Sequence, residues 1–166
     1  SQQLKTVARM IKLETGLRVA TVDYGGWDTH EYENDGDGGY IAELLGNLAS
    51  GLSNFYLDLE SGYTNKLSVV VISEFGRRLV QNESYGTEHG HGNVMFALGG
   101  GVNGGQVYGA WPGLHNDQLY DHADLAITTD YRQVLSEMLA HRLGNADVAS
   151  VFPGYVPTGE MGIFRE

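Results

Sequence analysis

Apolar residues recur every three or four positions in three stretches of the chain, which is the spacing of an amphipathic helix. The first stretch ends at Gly16, a residue type that suits the position just after a helix. The second covers roughly residues 40 to 59, and the third runs from about 129 to 143 and ends at Gly144. We therefore predict three helices, whose apolar faces carry Leu4, Val7, Ala8 and Ile11; Ile41, Leu44, Leu45, Leu48, Leu52 and Phe55; and Val134, Leu135, Met138, Leu139 and Leu143.

Between the helices lie runs of β-branched and other apolar residues that are typical of buried strands. They are LRVATVDYGG at 17–26, KLSVVVIS at 66–73 and NVMFALGG at 93–100. The segment GVNGGQVYG at 101–109 predicts a hairpin, because an Asn-Gly pair readily adopts the positive φ angles of a type I′ turn. The alternation of helices with strands predicts an α/β fold with a mostly parallel sheet.

The chain shows no internal repeat and no low-complexity linker, so we predict a single α/β domain over residues 1–166. A chain of this length can bury an ordinary hydrophobic core. It opens within the first helical pattern and does not begin with Met. We therefore expect it to be a portion of a longer protein.

Composition and charge narrow the range of partners. The chain is 42% hydrophobic and 19% charged, as expected for a globular protein, and no apolar run approaches the roughly 20 residues of a membrane span. A net charge of −11 with ten scattered Lys and Arg residues argues against nucleic acid, whose phosphates require clustered cations. The chain has no cysteine, so only His, Asp and Glu are available as strong metal ligands.

Carboxylates and imidazoles lie next to the predicted strands in three separate segments. WDTH follows the first strand, SEFGRR follows the second, and TEHGHGN leads into the third. Ligands of parallel α/β sheets bind at the carboxyl ends of the strands, and residues i and i+2 of an extended segment point the same way. We therefore predict a shared metal site with the ligands Asp28, His30, Glu88, His89 and His91. Glu74, Arg77 and Arg132 are the candidate catalytic residues.

Each of these segments also has a purely structural interpretation. Asp28 suits a turn in which it accepts from a backbone N–H while His30 is exposed, and glycine-flanked histidines suit an exposed polar loop. Glu74 suits a solvated carboxylate or a partner of Arg77. The metal hypothesis therefore depends on the three segments meeting in space.

Arg132 lies in TTDYRQ, which mainly predicts the start of the third helix, with Thr129 or Asp130 as the N-cap. A side chain at this position can also face a site and bind an anion. Arg77 or Arg132 would then contact a non-bridging oxygen of an anionic substrate.

Four motifs occur in an order and approximate spacing that resemble one bacterial family. They are VDYGGWDTH, SEFGRR, GTEHGHGNVMFALGGGVNGG and TTDYR, and the resemblance extends over nearly the whole chain. Together they resemble the C-terminal half of the domain-of-unknown-function fifteen-oh-one family, which is grouped with the alkaline-phosphatase and sulfatase superfamily. The family's usual Asp-His-Gly stands here as Glu88-His89-Gly90, so the carboxylate is kept but its side chain is one methylene longer.

The resemblance implies a three-layer α/β/α fold with a metal centre at the carboxyl edge of the sheet, and export to the periplasm or cell exterior. It also implies that divalent ions assist an attack on phosphorus or sulfur by a nucleophile from the N-terminal half, supplied by a missing segment or another chain. The expected substrates are small anionic esters or glycan sulfates. Mixed nitrogen and oxygen ligands suit Zn²⁺, Mn²⁺ or Fe better than Ca²⁺ or Mg²⁺, so we expect Zn²⁺ or Mn²⁺.

Three functional hypotheses follow. The first is a metal-dependent hydrolase-like domain acting on phosphate or sulfate esters. The second is a catalytically degenerate extracellular binding or structural protein that keeps the fold. The third is an unrelated metal-binding α/β module. Metal content together with ester turnover distinguishes the first two.

Overall fold

A computed structural model describes residues 1–33 and 38–165 of the chain. It divides into two compact units, the first made of Ser1–Thr64 with Arg78–His89, and the second of Asn65–Arg77 with Gly90–Glu166. The described residues form a mixed α/β structure with two-stranded sheets. Within the described part of the chain, no helix is long and apolar enough to cross a membrane.

The first unit is built on two helices, α1 (Gln2–Lys12) and α2 (Tyr40–Thr64). The predicted apolar face of α1 is confirmed at its centre, where Ala8 is only 1% exposed. Leu4 approaches α2 at Gly51, where an added Cβ would be 3.6 Å from the Leu4 Cδ1. An exposed ion pair of 2.7 Å joins the Lys12 Nζ to the Asp58 Oδ1.

Both helices of this unit end differently from the prediction. The first ends at Lys12 rather than just before Gly16. The second continues beyond residue 59 to Thr64, although Glu60 has a positive φ of 59° that breaks the regular helix. Leu59, which is fully buried, immediately precedes this break.

The second unit contains strands β1 (Ser68–Val71) and β4 (Phe96–Gly99), which pair in the antiparallel sense with Ser68 opposite Gly99 and Val71 opposite Phe96. The prediction of a mostly parallel sheet is wrong for this pair. Residues 72–95 connect the two strands without a helix, and a parallel pair usually needs a helical crossover. The remaining short strands are β2 (Gly76–Arg77) and β3 (His89–Gly90).

Helices α3 (Tyr131–Leu143) and α4 (Val148–Val151) complete the second unit. The prediction for α3 is confirmed at both ends, since Asp130 is its N-cap and Gly144 follows it in the left-handed conformation. Its buried Val134 forms a core with Ile163 and Phe164 of the C-terminal tail, with Val70, Ala97 and Met138 among the partly buried residues packed around it. The tail is therefore part of the core of this unit.

Two predicted elements are not formed. Residues 17–26 were predicted to be a buried strand, but they form no strand and are mostly exposed. The hairpin predicted at 101–109 is also absent from the described residues. Val102 instead forms an isolated antiparallel bridge with Phe164, so the C-terminal tail provides the partner that the hairpin would have provided.

Candidate metal site

The first contributing segment is the stretch around Thr29. The His30 Nε2 lies 3.0 Å from the Asp28 Oδ1, so the two side chains are in contact. Thr29, between them, is 9% exposed, and its backbone N–H donates to the Trp27 carbonyl at 2.9 Å. The contact between Asp28 and His30 therefore occurs in a locally turned segment rather than in a strand.

The second contributing segment is a loop that folds around Asn82. The Asn82 side-chain oxygen accepts hydrogen bonds from the backbone N–H groups of Ser84 and Gly86, both at 3.0 Å. The Asn82 N–H donates to the Gly86 carbonyl at 2.8 Å. Asparagine favours such turns because its side chain can replace a backbone acceptor. The loop therefore has an internal scaffold that fixes the residues following it.

The two segments lie side by side in the first unit. Backbone N–H groups of Tyr32 and Glu33 donate to the carbonyls of Ser84 and Tyr85, at 3.0 and 2.9 Å. Gly86 allows this approach, because a Cβ at this position would collide with the His30 carbonyl oxygen. Residues far apart in sequence thus converge through main-chain contacts rather than through the side chains of the cluster alone.

The convergence places two imidazoles around one carboxylate. The His89 Nε2 lies 2.7 Å from the Asp28 Oδ1, the same oxygen that the His30 Nε2 approaches. The centroids of the two imidazole rings are 4.8 Å apart. One potential ligand atom from each of the three residues lies within 4.8 Å of the others. The three side chains therefore form one polar cluster whose potential ligand atoms face each other.

Glu88 takes a different place in the site. Its Oε2 lies 3.0 Å from the His30 Nδ1, and its Oε1 accepts a hydrogen bond of 2.8 Å from the Asn82 side-chain amide. His30 therefore has a carboxylate oxygen at each ring nitrogen. A neutral imidazole carries only one ring N–H, so it can donate to only one of these two carboxylates.

The carboxylates of the site favour their charged form. Hydrogen bonds from His89 and His30 lower the pKa of Asp28, with the larger effect from His89. The hydrogen bond from Asn82 lowers the pKa of Glu88, and the nearby charges of His30 and Arg78 act in the same direction. Ionised carboxylates beside imidazole nitrogens are a ligand set that suits Zn²⁺ or Mn²⁺.

A cleft of about 710 Å³ opens beside the cluster. It belongs to the first unit, and among the described residues that line it, His30 alone has a side chain that can carry positive charge. Its described lining contains three carboxylates and two tyrosines but no Lys or Arg. The full lining is Asp28, Thr29, His30, Glu31, Tyr32, Tyr40, Asn82, Ser84 and Glu88.

His91 belongs to the second unit and has its own partner there. Its Nδ1 lies 2.7 Å from the Oδ2 of Asp124, whose side chain is only 8% exposed. The His91 ring packs against Tyr120 with a centroid separation of 4.3 Å. A carboxylate at Nδ1 directs the Nε2 of such a histidine away from the carboxylate, as in metal-binding and catalytic histidines.

The three remaining candidates also lie in the second unit. Glu74 is exposed, and the guanidinium carbon of Arg77 lies 5.1 Å from the centroid of the Phe75 ring. Arg132 makes a side-chain hydrogen bond of 2.6 Å to Asp130, and its guanidinium stacks over Tyr155 at 4.6 Å. Their proposed roles at a site remain predictions.

Sequence patterns did not identify three residues that organise the polar groups. Asn82 fixes the loop before Glu88, and Asp124 orients His91. The Glu33 carboxylate accepts from the hydroxyls of Thr29, at 2.6 Å, and Thr87, at 2.9 Å, and so links the two segments. For Asn82 a signal was present, since an Asn side chain often accepts from the backbone N–H two residues later, as it does here from Ser84.

Residues 3–152 match a family model described as protein of unknown function, DUF1501. The match covers most of the chain, so the chain belongs to this family. No curated protein and no solved structure matches it. The match confirms the family that the four sequence motifs indicated.

Proposed function

We propose that this protein is a metal-dependent hydrolase-like protein that acts on phosphate or sulfate esters, with Asp28, His30 and His89 as ligands of a divalent cation. The observation that carries the proposal is the placement of His89 beside Asp28, which precedes it by 61 residues, with both imidazoles directed at one carboxylate oxygen. Zn²⁺ and Mn²⁺ are the expected ions, because the ligands combine nitrogen with oxygen.

The chemistry of such a site follows from its charges. A bound divalent cation would neutralise charge on a transferring phosphoryl or sulfuryl group and lower the pKa of a coordinated water or hydroxyl. Asp28 contributes the negative charge that favours cation binding, and its lowered pKa keeps it ionised at neutral pH. His30 and His89 contribute neutral donors whose positions are limited by their contacts with that carboxylate.

Other parts of the proposal derive from the family resemblance. They are the three-layer α/β/α architecture, the relationship to alkaline phosphatases and sulfatases, and export to the periplasm or cell exterior. Small anionic esters, including glycan sulfates, are the proposed substrates. Glu74, Arg77, Arg132 and His91 remain candidates for contacts with substrate or a second ion.

The proposal is tested by elemental analysis of the full-length protein purified without chelator, combined with hydrolysis of p-nitrophenyl phosphate and sulfate. We expect a near-stoichiometric transition metal and measurable turnover, and loss of both in His89→Ala. His115→Ala is the matched control, since His115 is exposed and lies outside the cluster. Protein without bound metal, or turnover that survives His89→Ala, would contradict the proposal.

A second function, a binding or structural protein with a degenerate site, is favoured by one observation. The described lining of the cleft provides no Lys or Arg to bind an anionic ester, and the Arg132 guanidinium is engaged by Asp130. Full-length protein that holds a stoichiometric metal but hydrolyses neither ester would support this second function and contradict the first.

A further inference from the structure

Glu88 differs from the three proposed ligands in how its oxygen atoms are used. One oxygen accepts from the Asn82 amide at 2.8 Å, and the other faces the His30 Nδ1 at 3.0 Å. The group of ligand atoms that lie within 4.8 Å of one another contains Asp28, His30 and His89, without Glu88. Both oxygens of Glu88 are therefore committed to neighbouring side chains.

The contact with Glu88 also determines which nitrogen of His30 is available. When the His30 Nδ1–H donates to Glu88, the lone pair of the neutral ring is on Nε2, which faces Asp28. Metal-binding histidines commonly donate their second ring N–H to a carboxylate, which fixes the tautomer and the ring orientation. Glu88 has the position of that carboxylate.

Asn82 holds Glu88 in this position. Its side-chain oxygen is identified by two unambiguous backbone donors, the N–H groups of Ser84 and Gly86. The amide nitrogen is therefore the atom that donates to the Glu88 Oε1 and, at 2.9 Å, to the His30 carbonyl oxygen. One side chain thus fixes both the carboxylate and the backbone of the histidine that it orients.

We propose that Glu88 and Asn82 are positioning residues that orient His30 for metal binding, and that Glu88 is not itself a ligand. This inference rests on the proposed metal site and assigns Glu88 a role different from the ligand role predicted from sequence. The role of Asn82 is to hold Glu88 against the His30 Nδ1, so that the His30 Nε2 stays directed at the position shared with Asp28 and His89.

Other contacts join the segment around Thr29 to the loop around Asn82, and they involve neither the Glu88 nor the Asn82 side chain. The Glu33 carboxylate accepts from Thr29, which lies between two ligands, and from Thr87, which precedes Glu88. Main-chain bonds from Tyr32 and Glu33 to the loop add to this connection. Variants of Glu88 and Asn82 should therefore fold, and their effect should be on the orientation of His30.

The first experiment measures Zn²⁺ affinity by competition with a chromophoric chelator at pH 8. Glu88→Gln and Asn82→Asp are expected to bind Zn²⁺ about 10- to 100-fold more weakly than the wild type, the usual effect of removing an outer partner of a metal ligand. Asn82→Asp retains the acceptor for Ser84 and Gly86 and loses only the donor. Because its added negative charge favours cations, a lower affinity identifies loss of positioning.

Asp28→Asn is the reference for a true ligand, and Glu83→Gln is the matched control in the same loop, since Glu83 is exposed. We expect Asp28→Asn to abolish detectable Zn²⁺ binding and Glu83→Gln to leave it unchanged. If Glu88→Gln or Asn82→Asp binds Zn²⁺ as tightly as the wild type does, the positioning roles are refuted.

The second experiment records the visible absorption spectrum of the Co²⁺-loaded proteins, which reports the ligand set directly. The Glu88→Gln spectrum should retain the band positions and intensity of the wild type at saturating Co²⁺, whereas Asp28→Asn should differ. A changed spectrum in Glu88→Gln would show that Glu88 is a ligand and would overturn this inference while leaving the metal site intact. Failure of the wild type to bind either ion would instead refute the proposed function.

Discussion

Two carboxylates, one in each compact unit, accept several hydrogen bonds but differ in what surrounds them. In the second unit Glu137 is 3% exposed and accepts from the backbone N–H groups of Met161 and Phe164, both at 2.7 Å, and of Gly162 at 3.1 Å. In the first unit the side chain of Asp28 is 70% exposed and faces two imidazoles.

Glu137 and Asp28 differ in role because the groups that donate hydrogen bonds to them differ. Backbone N–H groups cannot leave or change their charge, so the three bonds to Glu137 attach the C-terminal tail to α3 permanently. Burial makes their loss costly, because each orphaned N–H would lack water as a replacement. The groups around Asp28 are exposed and titratable, so they contribute little to folding and are available to a ligand.

The largest loss of stability is expected for the substitution Glu137→Gln. An amide has only one oxygen, so the variant must direct an NH₂ group at the N–H of Phe164 or at those of Met161 and Gly162. We expect the free energy of unfolding to fall by about 3 kcal/mol, the cost of losing hydrogen bonds to a buried charged group. Urea denaturation followed by circular dichroism measures this change.

Asp28→Asn is the matched carboxylate-to-amide control for that experiment. Its unfolding curve without added metal should coincide with that of the wild type, because the side chain is largely exposed. If Asp28→Asn destabilises the protein as much as Glu137→Gln does, Asp28 has a structural role and the distinction between the two carboxylates is wrong.

A smaller loss of stability is expected for substitution of Gly86, where main-chain contacts rather than charges hold the two segments together. An alanine Cβ would collide with the His30 carbonyl, so Gly86→Ala must separate the two segments. We expect a destabilisation of about 1–3 kcal/mol, typical of an overpacked position, together with weaker Zn²⁺ binding. Chemical denaturation and chelator competition measure the two effects.

Gly62→Ala provides the comparison, since a Cβ at Gly62 would have no neighbour within 4 Å. This variant should retain the Zn²⁺ affinity of the wild type and should be at least as stable, because Ala favours a helix more than Gly does. Normal Zn²⁺ binding by Gly86→Ala would mean that the close approach of the segments is not required by the site.

The smallest effect is expected at Asp130, a partly exposed carboxylate that caps α3 and pairs with Arg132. Removing the cap in Asp130→Ala should lower the free energy of unfolding by about 1 kcal/mol. The hydrogen bond from the Arg132 side chain lowers the pKa of Asp130 from its ordinary value of 3.8. The stabilisation is therefore fully present above about pH 4 and is lost as the pH falls through the lowered folded-state pKa.

Denaturation of wild type and Asp130→Ala at a series of pH values measures this effect. The difference in unfolding free energy between the two proteins should be constant at neutral pH and should shrink in strongly acidic solution. A difference that grows on acidification would have the wrong sign for a carboxylate with a lowered pKa.

Sequence information was sufficient where the determinants of structure are local. The helical pattern from 129 to 143, an Asp before it and a Gly after it predict α3 almost to the residue. Capping and amphipathic spacing act within one or two turns, so they can be recognised in a single stretch. The short strand within 66–73 was found for a similar reason, since consecutive valines favour extended backbone.

Sequence information was insufficient where an element needs a distant partner. Residues 17–26 have the composition of a strand, yet they form none, and Val19 is 62% exposed. A strand is defined by hydrogen bonds to a neighbour, which composition does not specify. At 101–109 the Asn-Gly pair predicted a local hairpin, but the Asn103 N–H donates to the Ile163 carbonyl at 2.8 Å.

The contacts within the site also depend on partners that are distant in sequence. The spacing of Asp28 and His30 predicted a common direction, and Glu88 and His89 were selected by residue type and glycine content. The particular contacts were not predictable, because Glu88 could equally have faced a cation or His30. The contact between His91 and Asp124 joins residues that are 33 positions apart, and no local pattern indicates it.

The interval of 61 residues between Asp28 and His89 affects how the protein matures on the ribosome. At about 5–20 residues per second, the nascent chain carries the first part of the cluster for several seconds before the second part is synthesised. Closing so long a loop also has an entropic cost that local elements such as α1 do not have. The cluster can therefore form only after His89 has been synthesised, and a translation product that is truncated before His89 would lack it.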